Sequence, residues 1–158
     1  MSNDDLKMLR KQLAGALSGG ESHITFDKVV KDFPPEARGT KPHNAPHSAW
    51  ELVEHMRIAQ RDILEFARDP NHQSPEFPKG YWPGSEAPPS EAAWKQSVNA
   101  FQSDSKELEQ RLETADLFAP LPHGQGQTLL REALVAANHN SYQLGQLVFL
   151  KRMLTGKI

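Results

Sequence analysis

The amino-acid sequence predicts an all-α fold, a four-helix bundle with long proline-rich connections, and three observations favour it. Four long segments carry apolar residues at the spacing of one helix face. Serine or threonine stands immediately before several of these segments, where its side chain can cap a helix. No segment shows the alternation of apolar and polar residues that is typical of a strand. At 158 residues, the chain is expected to form a single domain over residues 1–158.

The first part of the chain is predicted to contain one long helix and one short one. Leucines recur at helical spacing from about Asp5 to Leu17, and Gly19-Gly20 ends this helix because glycine commonly terminates helices. A short helical piece follows from about Thr25 to Phe33. Pro34-Pro35 ends it, because proline lacks the backbone N–H that a helix interior needs.

The second long helix is predicted from Trp50 to Phe66. It begins at a capping box, in which the Ser48 and Glu51 side chains can each accept a backbone hydrogen bond from the other residue. Residues 70–89 follow and contain six of the twelve prolines and three aromatic side chains. We expect this long loop to pack as a lid or to carry function, because solvating three aromatic side chains in a flexible linker would be costly.

The third and fourth long helices are predicted from their caps and their apolar residues. Ser90 precedes the third helix, and Thr128 precedes the fourth, which ends at Gly156. The apolar residues expected to form the buried face of the fourth helix are Leu130, Leu134, Ala137, Leu144, Val148 and Phe149.

Composition excludes several classes of function. The formal net charge of -2 and the lack of a Lys/Arg block give no electrostatic basis for binding nucleic acid or an anionic membrane. The apolar runs are too short for a membrane helix, and the polar N-terminus is unlike a signal peptide. The absence of cysteine excludes disulfides, thiolate metal sites and a cysteine nucleophile. A cytoplasmic location is the simplest expectation.

The polar residues that point most directly to chemistry are His55 in the second long helix and His139 and Gln143 in the fourth. His139 and Gln143 are four residues apart, so their side chains project from one helix face. Facing helices of a bundle can build a metal site from such side chains. A neutral imidazole is a good ligand for zinc, nickel or iron(II), whereas a carboxamide oxygen is a poor one.

Two segments, HSAWELVEHMRIAQRDIL around His55 and REALVAANHNSYQLGQL around His139, resemble the DinB-like superfamily of four-helix-bundle proteins. The resemblance extends from the first helix to Leu154 and implies an up-down-down-up bundle. The family includes metal-dependent thiol transferases and mycothiol-dependent maleylpyruvate isomerases. Its pattern is a histidine in the second long helix, then His-x-x-x-His-x-Gly-Gln in the fourth. Here Gln143 stands where the family has its third histidine.

The resemblance implies a divalent ion (nickel, zinc or iron) held by His55 and His139, with Gln143 or water completing the shell, and it suggests a homodimer. Since the chain has no cysteine, an attacking thiol must be an external low-molecular-weight one. This indicates a thiol-dependent S-transferase or hydrolase acting on a small electrophilic substrate. The sequence leaves catalysis open. In the alternative, the three side chains form a buried hydrogen-bonded cluster in a non-catalytic binding or structural bundle.

Other polar residues have two interpretations each. Asp62 lies seven residues after His55 and could orient a metal ligand, or it could be a solvated charge or a salt-bridge partner. Tyr142 could donate a proton to a substrate, or pack with its hydroxyl at the surface. The loop His123–Thr128 could bind an anion, although a turn with a threonine cap is favoured. His43, His47 and the aromatic residues Trp50, Tyr81, Trp82 and Trp94 could border a cavity, although ordinary loop and core roles are favoured.

Overall fold

The computed structural model describes residues 2–157, so that Met1 and Ile158, the ends of the predicted domain, lie outside it. Within this range the protein contains five α-helices and no β-strand, which confirms the all-α prediction. Short 3₁₀ helices lie in the connections. The α-helices are α1 (Asn3–Ser18), α2 (Phe26–Val30), α3 (Ala49–Arg68), α4 (Glu91–Thr114) and α5 (Leu129–Thr155).

The helices begin where their caps predict. Ser48 accepts a hydrogen bond from the backbone N–H of Glu51, and the Glu51 carboxylate accepts one from the backbone N–H of Ser48. Ser90 and Thr128 cap α4 and α5 in the same way with one bond each. Helix α1 begins two residues before the expected position, because Ser2 forms a further capping box.

Contacts along α3 fix the directions of α4 and α5. Glu54 bonds Ser97 and Arg61 pairs with Asp104, so α3 and α4 run parallel. Towards the C-terminal end of α3, the Phe66 carbonyl accepts a hydrogen bond from His123, which lies just before α5. Near the start of α3, Leu52 shares a core cluster with residues at the end of α5. Helix α5 is therefore antiparallel to α3.

Helix α1 completes the bundle opposite α3. It packs against α4 and α5, and these two helices also flank α3. Arg10, in the middle of α1, donates to the carbonyls of Leu112 and Ala115 at the C-terminal end of α4. The end of α1, around Leu17, lies beside Phe101 in the first half of α4. These contacts make α1 antiparallel to α4 and give the up-down-down-up order that the resemblance implied.

A buried polar contact joins α3 and α5 in the interior of the bundle. Gln60 is fully buried, and its Oε1 accepts a hydrogen bond from Asn140 Nδ2 at 2.8 Å. Around this contact lie two apolar clusters, one with Trp50, Met56 and Trp94 and one with Leu64 and Leu108. Both Trp50 and Trp94 are core residues, as the ordinary interpretation of the aromatic residues predicts.

The long connection over residues 70–89 packs on α3. The Ser48 hydroxyl donates to the carbonyl of Glu86, and the Trp50 indole N–H donates to Ser85 at 3.3 Å. The loop is therefore a cover and not a free linker. The expectation that the aromatic side chains of this loop are packed is wrong for Phe77, which is 84% exposed.

The expected buried face of α5 is wrong at two positions. Leu134 is 53% exposed and Phe149 is 63% exposed. The reason is that α5 carries apolar residues on most of its sides, so its sequence periodicity does not distinguish the buried side from the outer one.

None of the helices within residues 2–157 has an apolar stretch long enough to cross a membrane.

Ser48→Ala should destabilise the fold more than Ser90→Ala. Both changes remove a helix cap, which costs about 1 kcal/mol. Ser48 is also fully buried and holds the loop through Glu86, so its loss should cost about 2–3 kcal/mol in all. Urea unfolding of the two variants measures the difference. Equal losses would show that the bond to Glu86 contributes nothing to stability.

Candidate metal site

The bundle brings His55 and His139 together. His55 lies in the second turn of α3 and His139 lies near the middle of α5, and their Nε2 atoms are 3.0 Å apart. Both side chains are partly buried. Since the two residues are separated by 84 positions in the chain, only the antiparallel packing of α3 and α5 produces this contact.

The proline-rich loop sets the orientation of His55. Its Nδ1–H donates a hydrogen bond of 2.9 Å to the backbone carbonyl of Tyr81. In a neutral imidazole with its proton on Nδ1, Nε2 carries a lone pair. The ring also stacks on Trp82, at 4.0 Å between centroids and 2° between planes. His55 therefore directs a lone pair at His139, and the Nε2–H of His139 donates to it.

Asp62 fastens the loop that orients His55. One carboxylate oxygen accepts a 2.6 Å hydrogen bond from the Tyr81 hydroxyl, and the other lies 2.7 Å from His72 Nε2. Burial, with a further contribution from Asp62, raises the pKa of Tyr81 to about 12. Asp62 is thus neither a solvated charge nor a direct partner of the metal-ligand candidates. It acts on His55 through the Tyr81 carbonyl.

Burial favours the neutral form of the histidines around this point. Burial lowers the pKa of His55 and His139, and the proximity of the two rings lowers that of His139 further. His47 stacks on Trp82 at 3.9 Å, and burial lowers its pKa as well. Neutral imidazoles are the form that binds metals.

Gln143 is engaged elsewhere. It is buried, and its Oε1 accepts a 2.9 Å hydrogen bond from Gln146 Nε2. Within residues 2–157, no three His, Asp or Glu side chains are grouped so that they could hold a metal ion. Any ion at this place would therefore have two histidine ligands, and Gln143 could add only the second lone pair of an oxygen that already accepts a bond from Gln146.

The two histidines fit a divalent ion in distance and in charge. Two nitrogen ligands at about 2.0–2.1 Å from one ion lie roughly 3–3.4 Å apart, close to the observed separation of the Nε2 atoms. Binding would require His139 to move its proton from Nε2 to Nδ1. That Nδ1 atom is buried without a hydrogen-bond partner in the described part of the chain, although metal-bound histidines usually have such a partner. The site fits a weakly bound ion.

The other candidate residues have structural roles or lie at the surface. His123 donates to the Phe66 carbonyl at 2.7 Å, and Thr128 caps α5, so the turn-and-cap interpretation of this loop is confirmed. Tyr142 is 69% exposed, in agreement with the surface interpretation. His43 is also exposed.

Sequence reasoning missed the role of the Tyr81–Trp82 pair beside His55. The sequence showed aromatic residues in a long loop, which is a reason to look for packing. It gave no indication that a backbone carbonyl of that loop would accept a hydrogen bond from His55, because such a contact depends on how the loop folds back.

The family model of the DinB superfamily matches residues 22–147. We found no match to the chain among curated proteins or among solved structures. The family match covers more than half of the sequence and includes both histidines and Gln143. The chain belongs to the DinB superfamily.

Tyr81→Phe should loosen the loop over His55. The change removes one hydrogen bond to a carboxylate, which is worth about 1.5–3 kcal/mol, and it keeps the aromatic ring. Backbone hydrogen exchange in residues 70–89, followed by mass spectrometry, should accelerate about tenfold or more. Tyr142→Phe makes the same chemical change at an exposed tyrosine outside the loop and should leave exchange in residues 70–89 unchanged. The same acceleration in both variants would contradict the role of Asp62.

Proposed function

We propose that this member of the DinB superfamily binds a divalent metal ion weakly between His55 and His139. The observation that carries the proposal is the pair of converging Nε2 atoms, 3.0 Å apart, one of which has its lone pair fixed by the bond from Nδ1 to Tyr81. Gln143 or water completes the shell. Nickel, zinc and iron(II) suit imidazole ligands.

The enzymatic form of the proposal is a thiol-dependent S-transferase or hydrolase. When bound, the ion lowers the pKa of a coordinated thiol or water and so supplies a nucleophile near neutral pH. The chain has no cysteine, so the thiol is a low-molecular-weight compound from outside. His55 and His139 hold the site, and the loop around Trp82 covers one side of His55. A homodimer and a cytoplasmic location stay predictions.

The second candidate is a binding protein without a metal. It is favoured by the bond from Gln146 to Gln143 and by the His55–His139 hydrogen bond, which satisfies both Nε2 atoms without an ion. In this form the bundle keeps the family's scaffold, and its function lies in a cavity or surface. In the first candidate, a metal ion still binds although Gln143 stands in the place of the third histidine. In the second, the loss of that histidine has removed metal binding.

Metal content separates the two candidates. In equilibrium dialysis against zinc, nickel or iron(II), which also detects a weakly held ion, the protein purified without an affinity tag should retain one ion per chain only if the His55–His139 site binds. His55→Ala and His139→Ala should each abolish retention. His43→Ala, which changes an exposed histidine, is the matched control and should not alter it.

Gln143→His restores the third histidine of the family pattern and should raise the affinity for zinc roughly tenfold or more, because imidazole is a far better zinc ligand than a carboxamide. Competition with a chromogenic chelator measures the change. An ion bound by Gln143→His alone, with none in the natural sequence, would overturn the proposal and favour the metal-free binding protein.

A further inference from the structure

A groove runs along the outer side of α5, next to the candidate metal site. It has a volume of about 420 Å³, within the range of small-molecule sites, and Leu52 of α3 lies at its base. We call it the α5 groove. Its two walls are formed by Pro42, Ala45 and Pro46 on the loop side and by Tyr142, Phe149 and Met153 on the α5 side.

The α5 wall exposes apolar side chains that the bundle does not use. Tyr142, Phe149 and Met153 are 69%, 63% and 40% exposed. They lie at helical spacing on one side of α5, with Gly145 and Gln146 between Tyr142 and Phe149. Exposed apolar side chains grouped in this way can mark a binding site.

Gly145 gives the groove its depth. It lies in the middle of α5, where glycine is unfavourable compared with alanine, and it lines the groove. A Cβ atom added to it would meet no described atom within 4 Å. Packing therefore does not require a glycine here, and the missing side chain leaves the groove open at this point.

The groove adjoins the histidine pair through two contacts. His47 lines the groove and stacks on Trp82, which in turn stacks on His55. Gln146 also lines the groove and donates to Gln143, one turn from His139. His55, His139 and Gln143 do not line the groove themselves, so its end at His47 and Gln146 borders the candidate metal site through Trp82 and through the Gln146–Gln143 bond.

We propose that the α5 groove binds the flat apolar part of an aromatic substrate, with the substrate's reactive end toward His55 and His139. This inference rests on the proposed function and names its substrate class, an uncharged electrophile of one or two rings. Among the described residues, the groove lining contains no Asp, Glu, Lys or Arg. A second copy of the chain is the alternative occupant, and the molar mass of the protein tests it.

The test uses 2-naphthol as a probe with the metal-free protein labelled with ¹⁵N. In NMR titration, the backbone amides of Gly145 and Gln146 should shift with saturable binding below 1 mM, on the order expected for a ligand of this size. Shifts confined to residues outside the groove, or none at millimolar probe, would overturn the proposal.

Gly145→Leu is the blocking variant, and Gly145→Ala is its matched control. Both remove a glycine from a helix interior, so neither should lower Tm. The leucine side chain should fill the groove and weaken 2-naphthol binding at least tenfold, while alanine should weaken it no more than threefold. Equal binding by the leucine variant and the natural sequence would overturn the proposal.

Two further measurements separate this proposal from the metal site. His55→Ala should lose metal but keep 2-naphthol binding, and Gly145→Leu should keep metal but lose 2-naphthol. Failure of metal binding alone would thus leave the groove intact. The remaining possible occupant is a second copy of the chain, and light scattering tests it by measuring the molar mass. If the natural sequence is a dimer that does not bind 2-naphthol, and Gly145→Leu is a monomer, the groove is a subunit interface and the proposal is overturned.

Discussion

The hydrogen bond from His55 Nδ1 to the Tyr81 carbonyl is the interaction on which the candidate site depends. It decides which nitrogen of His55 carries the proton and therefore which one faces His139. The carbonyl is in place because Asp62 holds the Tyr81 hydroxyl, and Asp62 and His55 lie on the same helix. The loop over residues 70–89 is thus both the cover of the site and the element that sets its chemistry.

The bundle provides the rest of the arrangement. Because α3 and α5 are antiparallel neighbours, residues far apart in sequence are in contact at two places along the bundle. His55 contacts His139, and Gln60 contacts Asn140. The first contact lies beside the loop and the groove, while the second is enclosed in the core. The core pair shares one hydrogen bond and leaves Gln60 Nε2 and Asn140 Oδ1 without a partner in the described part of the chain. Polar groups at the edge of a core can also bind an ion or a substrate, and the proposed site lies at this edge.

Much of the fold could be predicted because its signals are local. The capping box at Ser48 and the apolar spacing of α3 depend on neighbours in sequence, and the structure confirms both. The family pattern likewise predicted that His55 and His139 would meet. The outer position of Phe149 and the orientation of Trp82 could not be predicted, because each depends on how distant segments pack. The same holds for the bond between Gln143 and Gln146, since the sequence shows a glutamine but not its partner.

The most direct test is ¹⁵N NMR of the histidine rings, which reports the protonated nitrogen of each imidazole. In the metal-free protein at neutral pH, the account predicts the proton of His55 on Nδ1 and that of His139 on Nε2. One equivalent of zinc should move the His139 proton to Nδ1 and shift the Nε2 signals of both rings. A His55 proton on Nε2, or rings that do not respond to zinc, would contradict the account.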